Sequence, residues 1–213
     1  MASPPVPAAA ELDPLTANWP AGNPLIRIYP ADYGPLGFNP TTASARFRPI
    51  FDAGAVVPTA YAGSDAETAL AEGLLRGVDA IEAERKPRLF RKQVRDKRLA
   101  QIVASRELAL ARLNGSGLTK LGISRKQLIE IPAPDYPYTA GWAQAIYDCP
   151  TRFDGLLWTS HQNDSGSAVI LWQGRVDPAS ELEEDGQPLA LDNEPGLDLV
   201  REACLRAGID FEG

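Results

Sequence analysis

Phe153-Asp-Gly-Leu-Leu-Trp-Thr-Ser160, followed after a polar loop by Ala168-Val-Ile-Leu-Trp172, is the stretch on which the fold turns. Gly155 to Thr159 and Ala168 to Trp172 are short, continuous apolar runs bounded by turn-forming residues, the pattern of strands buried on both faces. Upstream of them, Tyr138 to Asp148 has helical periodicity with Trp142, Ala145 and Ile146 on one face, Leu118 to Ile123 reads as a short helix, and Asn114-Gly-Ser-Gly117 as a turn. Arg106 to Leu113 reads as a strand, and Leu89 to Ala104 as a helix with Pro87 near its start. Toward the N-terminus come three β-prone pieces. Leu25-Ile-Arg-Ile-Tyr29 ends at Pro30 and a Gly/Pro/Asn-rich loop, Ala45-Arg-Phe-Arg48 is an extended piece stopped by Pro49, and Val56 to Ala62 is a third run. A last helix spans Leu197 to Ala207. Short strands mixed with helices, with no repeated βαβ rhythm, predict an α+β fold. No solenoid-length repeat and no glycine-rich phosphate loop is present, so side chains would have to hold the phosphates of any dinucleotide.

Ser64-Asp-Ala-Glu67 has the form of a capping box and predicts a helix start. Ala66, Ala69, Leu70, Ala71, Leu74, Leu75 and Val78 cover most of that helix's circumference, which implies enclosure by other elements. Glu72 lies in the middle of this apolar helix, where a carboxylate must find partners or change its pKa.

A chain of 213 residues with 44% apolar content suits one domain. Residues 1–24, with six prolines and no apolar period, read as a flexible arm, and residues 177–213 as an acidic C-terminal extension packed on the same domain. There is no signal-peptide pattern and no uncharged run of bilayer-spanning length, which points to the cytoplasm and away from a membrane. Cys149, Cys204 and the single His161 have no metal-ligand spacing, so no metal is expected. From Arg85 to Arg98 eight basic residues accompany one acid, and from Asp177 onward eleven acids accompany two arginines. The basic stretch lacks interleaved aromatics apart from Phe90. It reads as a solvated helix face or a patch for an acidic partner rather than a nucleic-acid surface.

Several landmarks then fall in order: Arg27 in Leu-Ile-Arg-Ile-Tyr, Arg46-Phe47, Tyr61 in Thr-Ala-Tyr-Ala, Glu72 eleven residues after it, and Ser160 after Phe-Asp-Gly-Leu-Leu-Trp-Thr. In this order and spacing, from about Leu25 to Val176, the chain resembles the RES-domain family. Phe38-Asn39-Pro40 and Gly141-Trp-Ala-Gln-Ala-Ile add less diagnostic agreement. Two positions depart from the family's pattern: Ser44-Ala45 replaces paired glycines, and Arg76 stands where many members have a His four residues after the Glu.

The resemblance implies an ADP-ribosyltransferase-like split, mixed β-core flanked by helices, with residues 25–176 as the NAD-binding catalytic domain. It further implies the toxin of a toxin–antitoxin pair, with NAD as substrate, no metal, and a cognate antitoxin that blocks the cleft. Cleavage of the nicotinamide–ribose bond passes through an oxocarbenium-like state that a carboxylate can stabilise, and the resemblance gives that role to Glu72. It assigns Arg27 and Arg46 to the phosphates, Tyr61 and Phe47 to the ligand's rings, and Ser160 to the nicotinamide amide or a phosphate, with Glu72, Arg46 and Tyr61 forming the catalytic set.

Each residue also has a plainer reading. Glu72 can bridge to Arg76 or Arg46, the arginines can pair with carboxylates, Tyr61 and Phe47 can simply pack, and Ser160 can start a turn. His161 adjoins Ser160 on a strand and would point to the opposite face, which argues against a Ser-His hydrolase. Depletion of NAD, with water or phosphate as acceptor, is the leading reading. Mono-ADP-ribosylation of a protein target, a non-catalytic binding module and a DNA-binding regulator are the rivals.

Overall fold

The computed structural model describes residues 4–78, 86–161 and 163–213. In chain order the strands are β1 (Thr16–Trp19), β2 (Pro24–Pro30), the hairpin β3 (Phe51–Asp52) and β4 (Ala55–Val56), and β5 (Thr59–Gly63). These are followed by helix α1 (Ala66–Gly73), β6 (Arg88–Phe90), β7 (Lys97–Ala104) and β8 (Leu108–Arg112). Helices α2 (Ser116–Lys120), α3 (Arg125–Leu128) and α4 (Tyr136–Tyr147) lead into β9 (Gly155–Thr159) and β10 (Ser167–Trp172). The chain closes with β11 (Leu182–Glu184), β12 (Leu189–Ala190), α5 (Gly196–Ala207) and β13 (Asp210–Glu212).

The strand pair quoted at the outset lies at the centre. β9 and β10 pair antiparallel, Ser167 opposite Thr159. Along β10, Ala168, Ile170 and Trp172 join the core under α4, while Val169 and Leu171 join the core on the other face. The period-two alternation of a strand is thus satisfied with apolar contacts on both sides. The main sheet runs β1-β8-β9-β10-β5-β2-β7-β11, with β12 also on β7, and is mixed: β8 and β9 are parallel and the other pairs antiparallel. This is the α+β architecture, a mixed β-core flanked by helices, expected from the sequence.

The sheet nearly separates at one place. β2 is zipped to β7 from Pro24 to Pro30, yet meets β5 only at Ile26 opposite Gly63. α1 closes over this gap. Gly63 permits its close approach, since a Cβ there would stand 2.7 Å from the Ala69 amide nitrogen.

Several expectations need correction. The helix expected over Leu89 to Ala104 is β6, a single turn, and β7. Ala100, Ile102 and Ala104 are buried on alternate positions, and a period of two with cross-strand partners on both sides overrides the helix-prone charged residues. Ala45–Arg48 is a tight turn rather than an extended piece, with Phe47 at φ 68°. The run expected over Val56 to Ala62 is broken before Thr59, leaving β4 and β5 as separate strands. The N-cap of α1 is Asp65, one residue beyond Ser64: its carboxylate accepts from the Thr68 amide at 2.7 Å, and Ser64 Oγ donates to it. Glu72 accordingly sits in the last turn of α1 rather than its middle.

The N-terminal residues from Pro4 onward are no free arm. β1 pairs with β8, Leu12 is buried, and Tyr138 donates to the Pro4 carbonyl. The prolines suppress a helix but leave these residues able to add an edge strand. In the acidic C-terminal residues, β11 and β12 pair with β7 and lengthen the main sheet.

The basic stretch and the acidic tail answer each other. Lys86 pairs with Asp210, Arg88 with Glu212, and Arg91 donates to the Asp192 carbonyl, while β13 lies parallel to β6. Its first residue, Arg85, lies outside the described residues.

Candidate functional site

A cavity of about 230 Å³ opens where β2 and β5 diverge. Its floor is apolar: Ile26 and Ile28 from β2, Ala62 from β5, Ala69 from α1, Ala168 from β10 and the buried Trp158 from β9. Its polar wall is made by Tyr61, Glu72 and Arg76, with Ala45 at the edge.

Glu72 is hydrogen-bonded through one oxygen and not through the other among the described residues. Oε1 accepts from Ser160 Oγ at 2.8 Å and from the His161 amide at 3.1 Å. Oε2 lies 3.5 Å from Arg76 and 3.8 Å from Arg46, with no hydrogen-bond partner among the described residues. Ser160 can reach Glu72 because β9 ends there, on the far side of the gap from β2. The strand itself is anchored one residue earlier, where Asp154 receives the Arg106 fork at 2.8 and 2.9 Å and the Ala109 amide at 2.8 Å. The Asp of the Asp-Gly pair thus positions the strand that delivers the serine.

Arg46 is brought in by the turn preceding β3. Phe47, in the left-handed conformation that side chains disfavour, is held by its N–H donating to Thr139 Oγ1 at 3.0 Å, and Tyr61 donates its hydroxyl to the Arg46 carbonyl. The Arg46 side chain is then only 3% exposed, 5.8 Å above the Tyr136 ring. Burial, with Arg76 nearby, lowers the Arg46 guanidinium below its ordinary value against the opposing pull of Glu72. Burial likewise pushes the Tyr61 phenol up to about 12, with Arg48, Arg76 and Arg46 acting against it, so it enters the site as a neutral donor.

Two guanidiniums, of Arg46 and Arg76, therefore flank a single carboxylate, and a third, of Arg48, lies by the Tyr61 ring. Arg46 Nε and Nη1, Arg48 Nε and Nη1, Arg76 Nη2 and Glu72 Oε2 are all buried without a hydrogen-bond partner among the described residues. Unsatisfied buried donors are rare in folded proteins, and so many side by side, with a surplus of positive charge, fit the binding of an anion.

Of the residues singled out in the sequence, Tyr61 and Glu72 line this cavity, and Arg46 and Ser160 lie behind the lining in contact with Glu72. The structure places two elsewhere. Arg27 alternates with Ile26 and Ile28 and so points to the other face of β2, where it donates to the Pro35 and Gly37 carbonyls at 2.8 Å each and holds the loop after β2. Burial lowers it to about 10. Phe47 is wholly buried, its ring 5.1 Å from Trp158 in an edge-on contact, and lines no part of the cavity. The sequence reading missed Arg48, whose guanidinium lies 5.9 Å from the Tyr61 ring, and Tyr136, Thr139 and Trp158. Arg48 could have been noticed from its spacing two residues after Arg46. Tyr136 carried no signal beyond opening a helix. Among the described residues there is no cluster that could hold a metal ion and no helix long and apolar enough to cross a membrane.

Comparison with curated proteins gives no match in sequence. Among solved structures, a chain of the MbcT–MbcA toxin–antitoxin complex of M. tuberculosis is similar, with a TM-score of 0.62 at 17% identity. The match covers 87% of this chain and 91% of that one. The family model described as RES domain matches residues 24–193, a span that takes in the gap between β2 and β5, the cavity wall and the strands β11 and β12; this chain belongs to the RES-domain family.

Proposed function

We propose that this protein binds NAD and breaks its nicotinamide–ribose bond, acting in the cytosol as the toxin of a toxin–antitoxin pair whose antitoxin covers the cavity. The observation that carries the reading is Glu72: this residue lines the apolar cavity, one of its carboxylate oxygens is immobilised by Ser160 and a backbone amide, and the other is buried without a hydrogen-bond partner among the described residues, beside unfilled guanidinium donors. The similar solved structure, itself of a toxin–antitoxin complex, supports the biological setting.

In this reading the nicotinamide ring enters the apolar floor between Ile26, Ala62, Ala168 and Trp158, and the volume suits that half of the dinucleotide better than the whole. The pyrophosphate lies against the guanidiniums. Glu72 Oε2 accepts from a ribose hydroxyl and stabilises positive character at the anomeric carbon as the C–N bond lengthens. The bond's electron pair leaves with nicotinamide, which departs neutral, and an acceptor oxygen from water or phosphate completes the substitution, releasing its proton to solvent. Tyr61 holds the Arg46 backbone throughout, and its raised pKa keeps it from adding a second negative charge.

The test is nicotinamide release from NAD by the purified chain, with and without inorganic phosphate. Wild type should release nicotinamide, and Glu72→Gln, which keeps the shape and the contact with Ser160, should slow release by about 10²–10³-fold. Expression in bacteria should arrest growth in the first case and not the second. Transfer of labelled ADP-ribose to a protein without free ADP-ribose or its phosphate would replace depletion with protein modification, and no nicotinamide release at all would end the proposal.

A further inference from the structure

Resting on the NAD reading, we infer that Arg76 is the second phosphate-gripping guanidinium of this site, in the role the sequence suggested for Arg27, and that Tyr136 is the positioning residue that aims it. Arg27 is occupied. Both of its terminal nitrogens donate to backbone carbonyls on the far face of β2, and withdrawing them would release the loop at Pro35 and Gly37. Arg76 is the residue that lines the cavity.

Its geometry suits an anion better than a structural bridge. Nη1 stands 3.5 Å from Glu72 Oε2, an ion pair beyond good hydrogen-bond length, and Nη2 is buried with no partner among the described residues. A bridge selected for stability would close that contact into a fork. Instead the guanidinium is held from behind: Nε donates to the Tyr136 hydroxyl at 3.2 Å, and the group lies 5.0 Å from the centroid of the Tyr136 ring. Arg46 lies 5.8 Å from the same centroid with Nε and Nη1 unfilled. One aromatic ring at the start of α4 therefore carries two guanidiniums whose free donors sit beside the same carboxylate. A diphosphate has oxygens enough to fill both. An Arg at this position supplies a permanent charge and a planar fork on the cavity side, which Arg27 on the other face of β2 does not.

ADP, which carries the diphosphate without the nicotinamide half, is the probe, measured by calorimetric titration beside free nicotinamide measured by ligand-observed NMR. Arg76→Ala should weaken ADP by roughly tenfold or more, the weight of one charge-assisted hydrogen bond, while leaving nicotinamide affinity unchanged. Arg76→Lys, which retains charge without the fork, should fall between, as should Tyr136→Phe, which keeps the ring but removes the acceptor of Nε. An Arg76→Ala protein that binds ADP as wild type does, or that loses ADP and nicotinamide alike, overturns the assignment. Wild-type protein indifferent to ADP removes the NAD reading and this assignment with it, whereas wild type that binds ADP alongside an indifferent Arg76→Ala removes the assignment alone.

Discussion

Thr139 Oγ1 accepts from the Phe47 amide and donates to the Tyr136 carbonyl, so one fully buried hydroxyl joins the turn that presents Arg46 to the helix start that presents Tyr136. Thr139→Val keeps the shape and strands the Phe47 N–H in the interior. It should cost about 2 kcal/mol in denaturant unfolding and, under the proposed NAD reading, raise KM for NAD more than it lowers kcat, with Thr139→Ser restoring both. Tyr61 offers a check at alkaline pH. Its phenol is raised in the folded state relative to an unfolded value near 10, so its contribution to stability is complete below that pH and is lost as the pH climbs toward about 12. Tyr61→Phe should flatten this limb of the stability profile. Glu72, Arg46, Tyr61 and Ser160 were singled out by their order and spacing along the chain, and the structure joins them: Ser160 and Arg46 meet Glu72, and Tyr61 bonds the Arg46 carbonyl. Arg27 was misplaced because a guanidinium on a short strand has two faces open to it, and only the loop packed across β2 decides which one it takes.

At the scale of elements, α1 matters most, since it closes the gap between β2 and β5 and carries both Glu72 and Ala69 of the cavity. Its N-terminus depends on Asp65. Burial alone would raise that carboxyl, but bonds from Ser64 and Thr68 outweigh it and hold the group below the usual carboxylate range. Stability from this cap is therefore present above about pH 4 and disappears as the pH falls through the lowered value. Asp65→Ala should cost about 1 kcal/mol at neutral pH in thermal or chemical melts, and the difference from wild type should shrink in acid. The strands β2, β9 and β10 and the helices α4 and α5 were legible from apolar period. β7 was not: Lys97-Arg-Leu-Ala-Gln-Ile-Val-Ala104 follows a long basic run, and the pairing that makes it a strand comes from β2 and from β11 and β12, far away in sequence. Helix propensity is a local quantity and lost to partners it could not register.

For the whole molecule, the mixture of short strands and helices pointed to the α+β class, but composition misjudged the N-terminal residues. Their prolines concealed Leu12, which reaches the core, and β1, which covers the β8 edge. Deleting residues 1–20 should lower the denaturation midpoint and promote association through the bared edge of β8, read by sedimentation; a flexible arm would leave both unchanged. Charge asymmetry was visible in the sequence, and its use was not. Lys86 and Arg88 of the basic stretch find acidic partners in the chain's own C-terminal residues, and Arg91 a backbone carbonyl there, so part of the stretch serves to hold that segment. The single rung between β2 and β5 has a mechanical meaning. Two well-laced panels share one stitch, and anything wedged beside it can part them at small cost in backbone bonding, or, once seated, clamp them shut. Protons on the facing borders of those panels should therefore trade with solvent faster in the empty protein than in one saturated with its ligand.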